Sequence, residues 1–279
     1  MRDLTVGQYY PSNSVVHRAD PRFKLLILCV YFVMVFFCDT FFSFAFVTVF
    51  VLVTVFIARV PLLKVLKGIR PVLIVLLFTT ALMIVFYRDE SAAPLAEWWI
   101  FKIYLSGIYA SLKLAWRLLL LVLMPSLLTL TSTPTEICDG WESLLTPLKW
   151  IKVPVHELAL IMSIALRLIP TLVDETDKIM NAQKARCAEF DSRNPFKKIK
   201  AMLPVLIPLF VSSFRRADEL ADAMDSRCYR GAKGRTRMKK LKCRAGDVIA
   251  LLFWCAVFVC VLFLKYNWLN WAFIPLLGI

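Results

Sequence analysis

What this sequence lacks narrows its function first. It holds two histidines in 279 residues, His17 and His156. Neither belongs to an H-E-x-x-H pair, the spacing that lets one helix face hold zinc. His156-Glu157 reads instead as local capping near a helix start. Among eight glycines there is no G-x-x-x-x-G-K-[ST] loop, whose backbone amides would cradle phosphates. Gly231-Ala232-Lys233-Gly234 has the wrong spacing, so no P-loop binding of ATP is expected of this chain. Eight cysteines contain no C-x-x-C pair, and neither a zinc site nor a disulfide framework follows from their spacing. They read as reduced thiols acting as small apolar side chains. No Asp or Glu lies deep in an apolar run, which argues against a proton-coupled transporter. No nucleophile–base set sits in those runs, which leaves a membrane enzyme unsupported. The first 24 residues lack an apolar core with a small-residue cleavage site, so no signal peptide is expected.

What is present is hydrophobicity and positive charge. Apolar residues make up 59% of the chain and the net charge is +14. Soluble domains are nearer ~45–50% apolar, and here the excess falls in long runs. Those are Leu25 to Phe37, Phe41 to Ala58, Pro71 to Tyr87, Leu105 to Leu130, Val248 to Leu264 and Trp268 to Ile279. A span needs ~20 residues for a ~30 Å hydrocarbon core. The first run reaches this only by borrowing neighbours, and the last is shorter still. The expectation is an all-α integral membrane protein with about six transmembrane helices. Leu62 to Arg70 reads as a short basic amphipathic piece before the third.

Charge placement orients the chain. The N-terminal stretch and residues 59–70 carry four basic residues each, whereas 88–104 holds two basic and three acidic. Segment 131–245 holds 21 basic and 13 acidic residues. Basic residues collect on cytoplasmic loops, so the N-terminus, 59–70 and 131–245 are expected there, and an even number of spans returns the C-terminus too. The same rule accounts for the net charge without nucleic acid. Three regions follow: 1–130 with an N-terminal cytoplasmic segment and four spans, 131–245 as a cytoplasmic module, and 246–279 with the last spans.

A structureless loop as long as 131–245 is improbable on length alone, so helices are expected in it. Thr133-Pro134-Thr135-Glu136 is a helix start: hydroxyl cap, proline at the first position, acid in the first turn. That helix should end near Thr146-Pro147. A second runs from Val155 to about Arg193, with a kink expected at Pro170 and an apolar stripe through Leu172, Thr176, Ile179, Gln183 and Cys187. A third runs from about Leu203. Its Phe210, Phe214, Ala217, Ala221, Met224 and Cys228 form a heptad-like seam. The basic stretch 230–244 reads as a positive flank before the next span, with an anionic-lipid or nucleic-acid role as an alternative.

Two features of these segments carry chemistry. Lys113 and Arg117 lie four apart in the fourth run, with no carboxylate there to pair with them. Contact with a neighbouring helix, a partner or lipid headgroups is expected, with an ion pathway as the alternative. The pattern Ala-x-x-[Ala/Ser]-Arg-Cys occurs twice, at 182–187 and 223–228. An arginine near a helix C-terminus complements the helix dipole by ~0.3–1 kcal/mol, which accounts for one arginine but not for the paired small flanks. Ala185, Arg186, Cys187 and Ser226, Arg227, Cys228 make two narrow tips. Each carries a planar five-donor group suited to a polar groove.

Together these residues resemble the transmembrane T component of energy-coupling factor transporters, the prokaryotic importers of vitamins and metal ions. The resemblance runs through Gly7-Gln8-Tyr9, Ser14-Val15-Val16-His17-Arg18-Ala19-Asp20-Pro21-Arg22-Phe23-Lys24, Thr133-Pro134-Thr135-Glu136, Pro147-Leu148, Ala165-Leu166-Arg167-Leu168-Ile169-Pro170, Ala182-Gln183 and the two arginine motifs, nearly the whole chain. It implies a non-catalytic subunit of the prokaryotic cytoplasmic membrane. Two cytoplasmic ATPases, which would carry the ATP and magnesium, would each receive Arg186 or Arg227 in a groove. Their closure would move coupling helices and, through them, one or more separate substrate-binding S components. The alternative is a self-contained secondary transporter.

The family's usual motif is Ala-Arg-Gly, and here cysteine stands in the glycine's place. Glycine ends a helix in the left-handed conformation at no steric cost, whereas another residue there costs roughly 1–2 kcal/mol. Neither helix is therefore expected to stop at its cysteine. The first should continue to Asn194-Pro195, the second to Gly231.

Overall fold

The computed structural model describes residues 9–87, 96–98, 101–188, 190, 194–231 and 243–266. The sixth apolar run and most of the basic stretch 230–244 lie outside these. In chain order come α1 (Val15–Arg18), α2 (Pro21–Phe37), α3 (Phe41–Ile57) and α4 (Leu62–Phe86). A three-residue hairpin of β1 (Ala96–Trp98) and β2 (Phe101–Ile103) follows, then α5 (Leu105–Thr131), α6 (Pro134–Leu145) and a 3-10 turn (Thr146–Ile151). The chain continues with α7 (Val155–Ala185), α8 (Pro195–Ser226) and α9 (Ala245–Lys265).

The chain divides into two compact units, 7–140 with 241–279, and 141–240. The core of the first is built by α2, α3, α5 and α9. Each gives a stripe at three- and four-residue steps: Ile27, Tyr31 and Met34; Phe44, Val47, Val51 and Val55; Leu120, Leu123 and Leu127; Trp254, Val257 and Val261. Lipid tails are as apolar as leucine, so in a membrane such stripes hold by close packing and hydrogen bonds rather than by escape from water. Two bonds pin the bundle: the Tyr31 hydroxyl donates to the Leu120 carbonyl at 2.8 Å, and the Trp116 indole to the Thr48 hydroxyl at 3.0 Å. The Tyr31 ring meets Trp254 edge-on at 5.6 Å. The outer surface is apolar too, with Phe36, Phe56 and Phe86 exposed. Such a surface belongs against lipid.

Helix ends in this unit are tied off by the segment before α2. A helix leaves its last carbonyls without intrahelical donors. The Tyr10 amide donates to the Leu130 carbonyl at 3.0 Å, and the Ser12 hydroxyl to the Ala58 carbonyl at 3.2 Å. Buried Lys24 donates to the carbonyls of His17 and Thr131 and to the Ser132 hydroxyl, at 3.0–3.3 Å. One short segment thus closes the C-termini of both α3 and α5. His17 holds it together. Its Nδ1 faces the Ser14 hydroxyl at 2.7 Å, its Nε2 faces the Tyr10 carbonyl at 2.9 Å, and burial pushes its pKa down.

By length and composition, three described helices can cross a membrane: α5, α7 and α9. The sequence reading counts about six spans. α2 and α3 have 17 residues each, about 26 Å at 1.5 Å per residue, short of the ~30 Å core. In α4 the apolar part is Val72–Phe86. α4 also joins what the sequence reading kept apart, because one helix of 25 residues carries both the basic piece Leu62 to Arg70 and the apolar run that starts at Pro71. α7, assigned from sequence to the water-facing module, has an apolar N-terminal half. Asp174, Glu175, Asp177 and Lys178 follow it, so the helix changes character along its length.

Candidate docking site

α6 begins as its sequence dictates. The Thr133 hydroxyl accepts from the Glu136 amide at 3.3 Å, the Glu136 carboxylate accepts from the Thr133 amide at 3.1 Å, and Pro134 takes the first position. This is a capping box, satisfying two otherwise unpaired donors reciprocally. The 3-10 turn follows α6 at Thr146. His156 corrects the expectation of local capping: its Nδ1 lies 3.0 Å from the Glu142 carboxylate, tying the start of α7 to the end of α6.

α7 and α8 are long levers of 31 and 32 residues, about 46 and 48 Å at 1.5 Å per residue. α8 starts earlier than expected, at Pro195 rather than about Leu203. The Asn194 side chain accepts from the Phe196 amide at 3.1 Å, and Pro195 supplies the fixed first-turn φ. The two helices are clamped by Glu175. Its carboxylate accepts from the Ser212 hydroxyl at 2.5 Å and from Arg216 Nη2 at 2.8 Å. These contacts, the serine's first, hold the carboxyl below its ordinary pKa range. The face of α8 that turns inward therefore carries Val205, Ser212 and Arg216, seven and four residues apart. The expected seam is displaced: Phe210, Phe214, Ala217, Ala221 and Cys228 are exposed. A serine and an arginine read as outward residues, which is why sequence periodicity chose the apolar face. The signal for the clamp was Glu175 itself, an acid beside the stripe of α7 that needs a cation.

Both motifs end their helices where the sequence reading said they would not. α7 stops at Ala185 and α8 at Ser226, with Arg186 and Arg227 as the capping residues. Cys187 and Cys228 then take left-handed φ values of 61° and 55°. The Cys187 amide bonds the Lys184 carbonyl at 3.0 Å and the Ala188 amide bonds the Gln183 carbonyl at 3.1 Å. In the second copy, Cys228 bonds Asp225 at 2.9 Å and Tyr229 bonds Met224 at 3.1 Å. These are two Schellman turns with the same hydrogen-bond pattern. The physical reason is a near balance. The left-handed cost of roughly 1–2 kcal/mol is offset by two hydrogen bonds worth ~0.5–1.5 kcal/mol each. Arg59 and Lys152 are left-handed in the same way, so glycine is not required for such turns in this fold.

The turns hold their arginines alike. Arg186 has φ −90° and ψ 18°, Arg227 φ −92° and ψ 12°. Both side chains are exposed, as are Ala185, Cys187, Ser226 and Cys228. Neither guanidinium has a hydrogen bond or ion pair among the described residues. Each tip thus offers five donors on a rigid turn with small neighbours, which suits an acceptor-lined groove.

Lys113 and Arg117 lie elsewhere, on α5. Arg117 Nη2 donates to the Cys38 carbonyl at 2.6 Å and pairs with Asp39 at 3.3 Å, while Lys265 Nζ pairs with the same carboxylate at 2.8 Å. Lys113 sits 5.5 Å from the Phe41 ring centre. The expected contact with a neighbouring helix is therefore made at the α2–α3 turn. The carboxylate missing from the fourth run is Asp39. Among the described residues no group of three or more His, Cys, Asp or Glu is placed to hold a metal.

The chain is similar to known proteins over most of its length. The family described as cobalt transport protein, CbiQ, matches residues 12–238. The energy-coupling factor transporter transmembrane protein EcfT of Clostridium kluyveri is 48% identical over 269 residues, 96% of this chain and 98% of that protein. The proteins of the same description from Bacillus subtilis and Lactococcus lactis are 44% and 41% identical. They cover 86% and 90% of this chain, and the match spans 90% and 94% of their own lengths.

Proposed function

The chain belongs to the CbiQ family as a transmembrane T component of energy-coupling factor transporters, and from that premise we propose that it is the non-catalytic coupling subunit of an ATP-driven importer. Two cytoplasmic ATPases dock on it, one at Arg186 and one at Arg227, and bind the ATP and magnesium themselves. α7 and α8 carry their motion to one or more separate membrane S components, which select a vitamin or metal ion. The N- and C-termini and residues 131–245 face the cytoplasm of a prokaryote, in keeping with the basic bias of those segments.

One observation carries this reading: two helices of nearly equal length end in the same turn, each presenting an arginine without a side-chain partner among the described residues. Dipole complementation alone needs neither the matched turns nor the small flanks. The absence of a P-loop sequence gives the tips a reason to engage a nucleotide-hydrolysing partner. The apolar face of α8, with Phe196, Ile199, Leu203, Ile207 and Phe210 exposed, offers the S component a surface.

The test is co-purification of the tagged chain with co-expressed ATPases, together with substrate uptake, for Arg186→Glu, Arg227→Glu and the double variant. Each single variant should weaken ATPase capture, and the double variant should abolish capture and uptake while the purified chain keeps its thermal midpoint. Uptake that persists in the double variant, or in cells without the ATPases, would overturn the reading in favour of a self-contained transporter.

A further inference from the structure

The 7–140/241–279 unit contains a cleft of about 660 Å³ between α1, α2, α3, α5 and α9. That volume lies within the ~300–1,000 Å³ range of ligand sites. Its walls are apolar, including Leu28, Val53, Leu127 and Phe253, and its mouth is cationic, with Arg18 and Arg244. The other charged groups there are already engaged. Lys24 is held by the His17 and Thr131 carbonyls and the Ser132 hydroxyl. Asp247 is buried and accepts from the Arg244 amide at 3.1 Å. The Arg18 and Arg244 guanidiniums are exposed and have no hydrogen bond or ion pair among the described residues.

The mouth lies where α2 and α9 begin and where α3 and α5 end, as Lys24, Gly246, Ile57 and Thr131 all border it. The cleft therefore opens at a basic end of the bundle, the level of lipid headgroups. From Arg244 to Trp254 it follows α9 for ten residues, about 15 Å at 1.5 Å per residue. An apolar channel this deep, ending at two exposed guanidiniums, fits an anionic amphiphile whose chain lies along the helices. Basic pockets between transmembrane helices recognise anionic headgroups by this combination, and arginine holds phosphate through paired donors.

We propose that this cleft is a specific site for an anionic phospholipid, its acyl chain between α3 and α9 and its phosphate between Arg18 and Arg244. A zwitterionic lipid would place a second, positive group against the same arginines. The entrance is open at Gly246, where an added Cβ would meet no atom within 4 Å. The bound lipid would bridge the segment before α2 to the start of α9, sequence-distant parts of one unit. This site is independent of the arginine tips of α7 and α8.

The experiment uses the full chain in nanodiscs doped with brominated phosphatidylglycerol or brominated phosphatidylcholine. The reporter is Trp254, which borders the cleft, and Trp254→Phe subtracts the other tryptophans. Brominated phosphatidylglycerol should quench Trp254 at roughly thirtyfold lower mole fraction than the choline lipid, the factor expected of two surface cations. Arg18→Gln/Arg244→Gln should erase that preference, and Gly246→Phe should remove quenching by both lipids. Equal quenching of the unmodified chain by the two lipids would overturn the proposal. So would a photo-crosslinker at position 246 that captures protein, either a partner helix or another part of this chain, rather than lipid in the assembled transporter.

Discussion

The left-handed cysteines give a quantitative test of how the tips are held. Replacing Cys187 or Cys228 by glycine removes a steric cost of roughly 1–2 kcal/mol. Glycine also frees the unfolded chain, which returns about 0.4–1 kcal/mol of that gain. A net stabilisation of about 0.5–1 kcal/mol per turn remains. The backbone bonds of the two turns use different carbonyls, so the double variant should show the sum. The comparator is alanine, which carries the same left-handed penalty but no thiol, so it separates backbone conformation from sulfur chemistry. Amide hydrogen exchange reads the effect locally, because the Ala188 and Tyr229 amides close the outer bonds of the turns at 3.1 Å. Opening free energies raised by that amount should slow their exchange about two- to fivefold in the glycine variants and leave it nearly unchanged in the alanine variants. If glycine and alanine behave alike, or if glycine speeds exchange, the balance between backbone strain and capping bonds is wrong.

Three further outcomes follow from other contacts. Asp39→Asn removes the one carboxylate shared by Arg117 and Lys265; because all three are partly exposed, the loss should be about 1 kcal/mol, read as a lower thermal midpoint whose salt dependence also shrinks. Tyr31→Phe deletes a buried interhelical hydrogen bond and should cost about 0.6–1.7 kcal/mol in a membrane setting, measured by steric-trap or detergent-denaturant unfolding. The Glu175 carboxyl is held below its ordinary pKa in the folded chain, so its contribution is full above the unfolded value near ~4.3. That contribution is lost as pH falls through the lower folded value. Spin labels on α7 and α8 should separate over that acid window, and Glu175→Gln should remove the pH dependence.

Where hydrophobic run and helix coincide, the sequence is nearly sufficient. The runs 41–58 and 105–130 became Phe41–Ile57 and Leu105–Thr131, because nothing competes with a helix in a long apolar stretch. The start of α6 was equally plain, since Thr133, Pro134 and Glu136 each act on neighbouring backbone. Three features escaped for different reasons. Pro71 is a local breaker, yet α4 continues through it. The inward face of α8 was misplaced because Ser212 and Arg216 turn inward only to meet the answering acid on α7, a pairing across 37 and 41 residues. The cysteine turns were rejected on a single-residue penalty, while the offsetting bonds come from the carbonyls of Gln183, Lys184, Met224 and Asp225. The arginine tips themselves were legible, because their chemistry repeats in the sequence, but their matched geometry was not.

The Asp39 cluster bears on how the chain is made. The carboxylate lies in the short turn between α2 and α3, so it leaves the ribosome before either cation that pairs with it. Arg117 follows 78 residues later, and Lys265 arrives only at the end of α9. On the proposed orientation, with the N-terminus inside, both cations would be carried to the far side of the bilayer, against the bias that retains basic residues in the cytoplasm. A negative group already there would lower the cost of each crossing in turn, and Asp39 would act as a landing point for helices not yet synthesised.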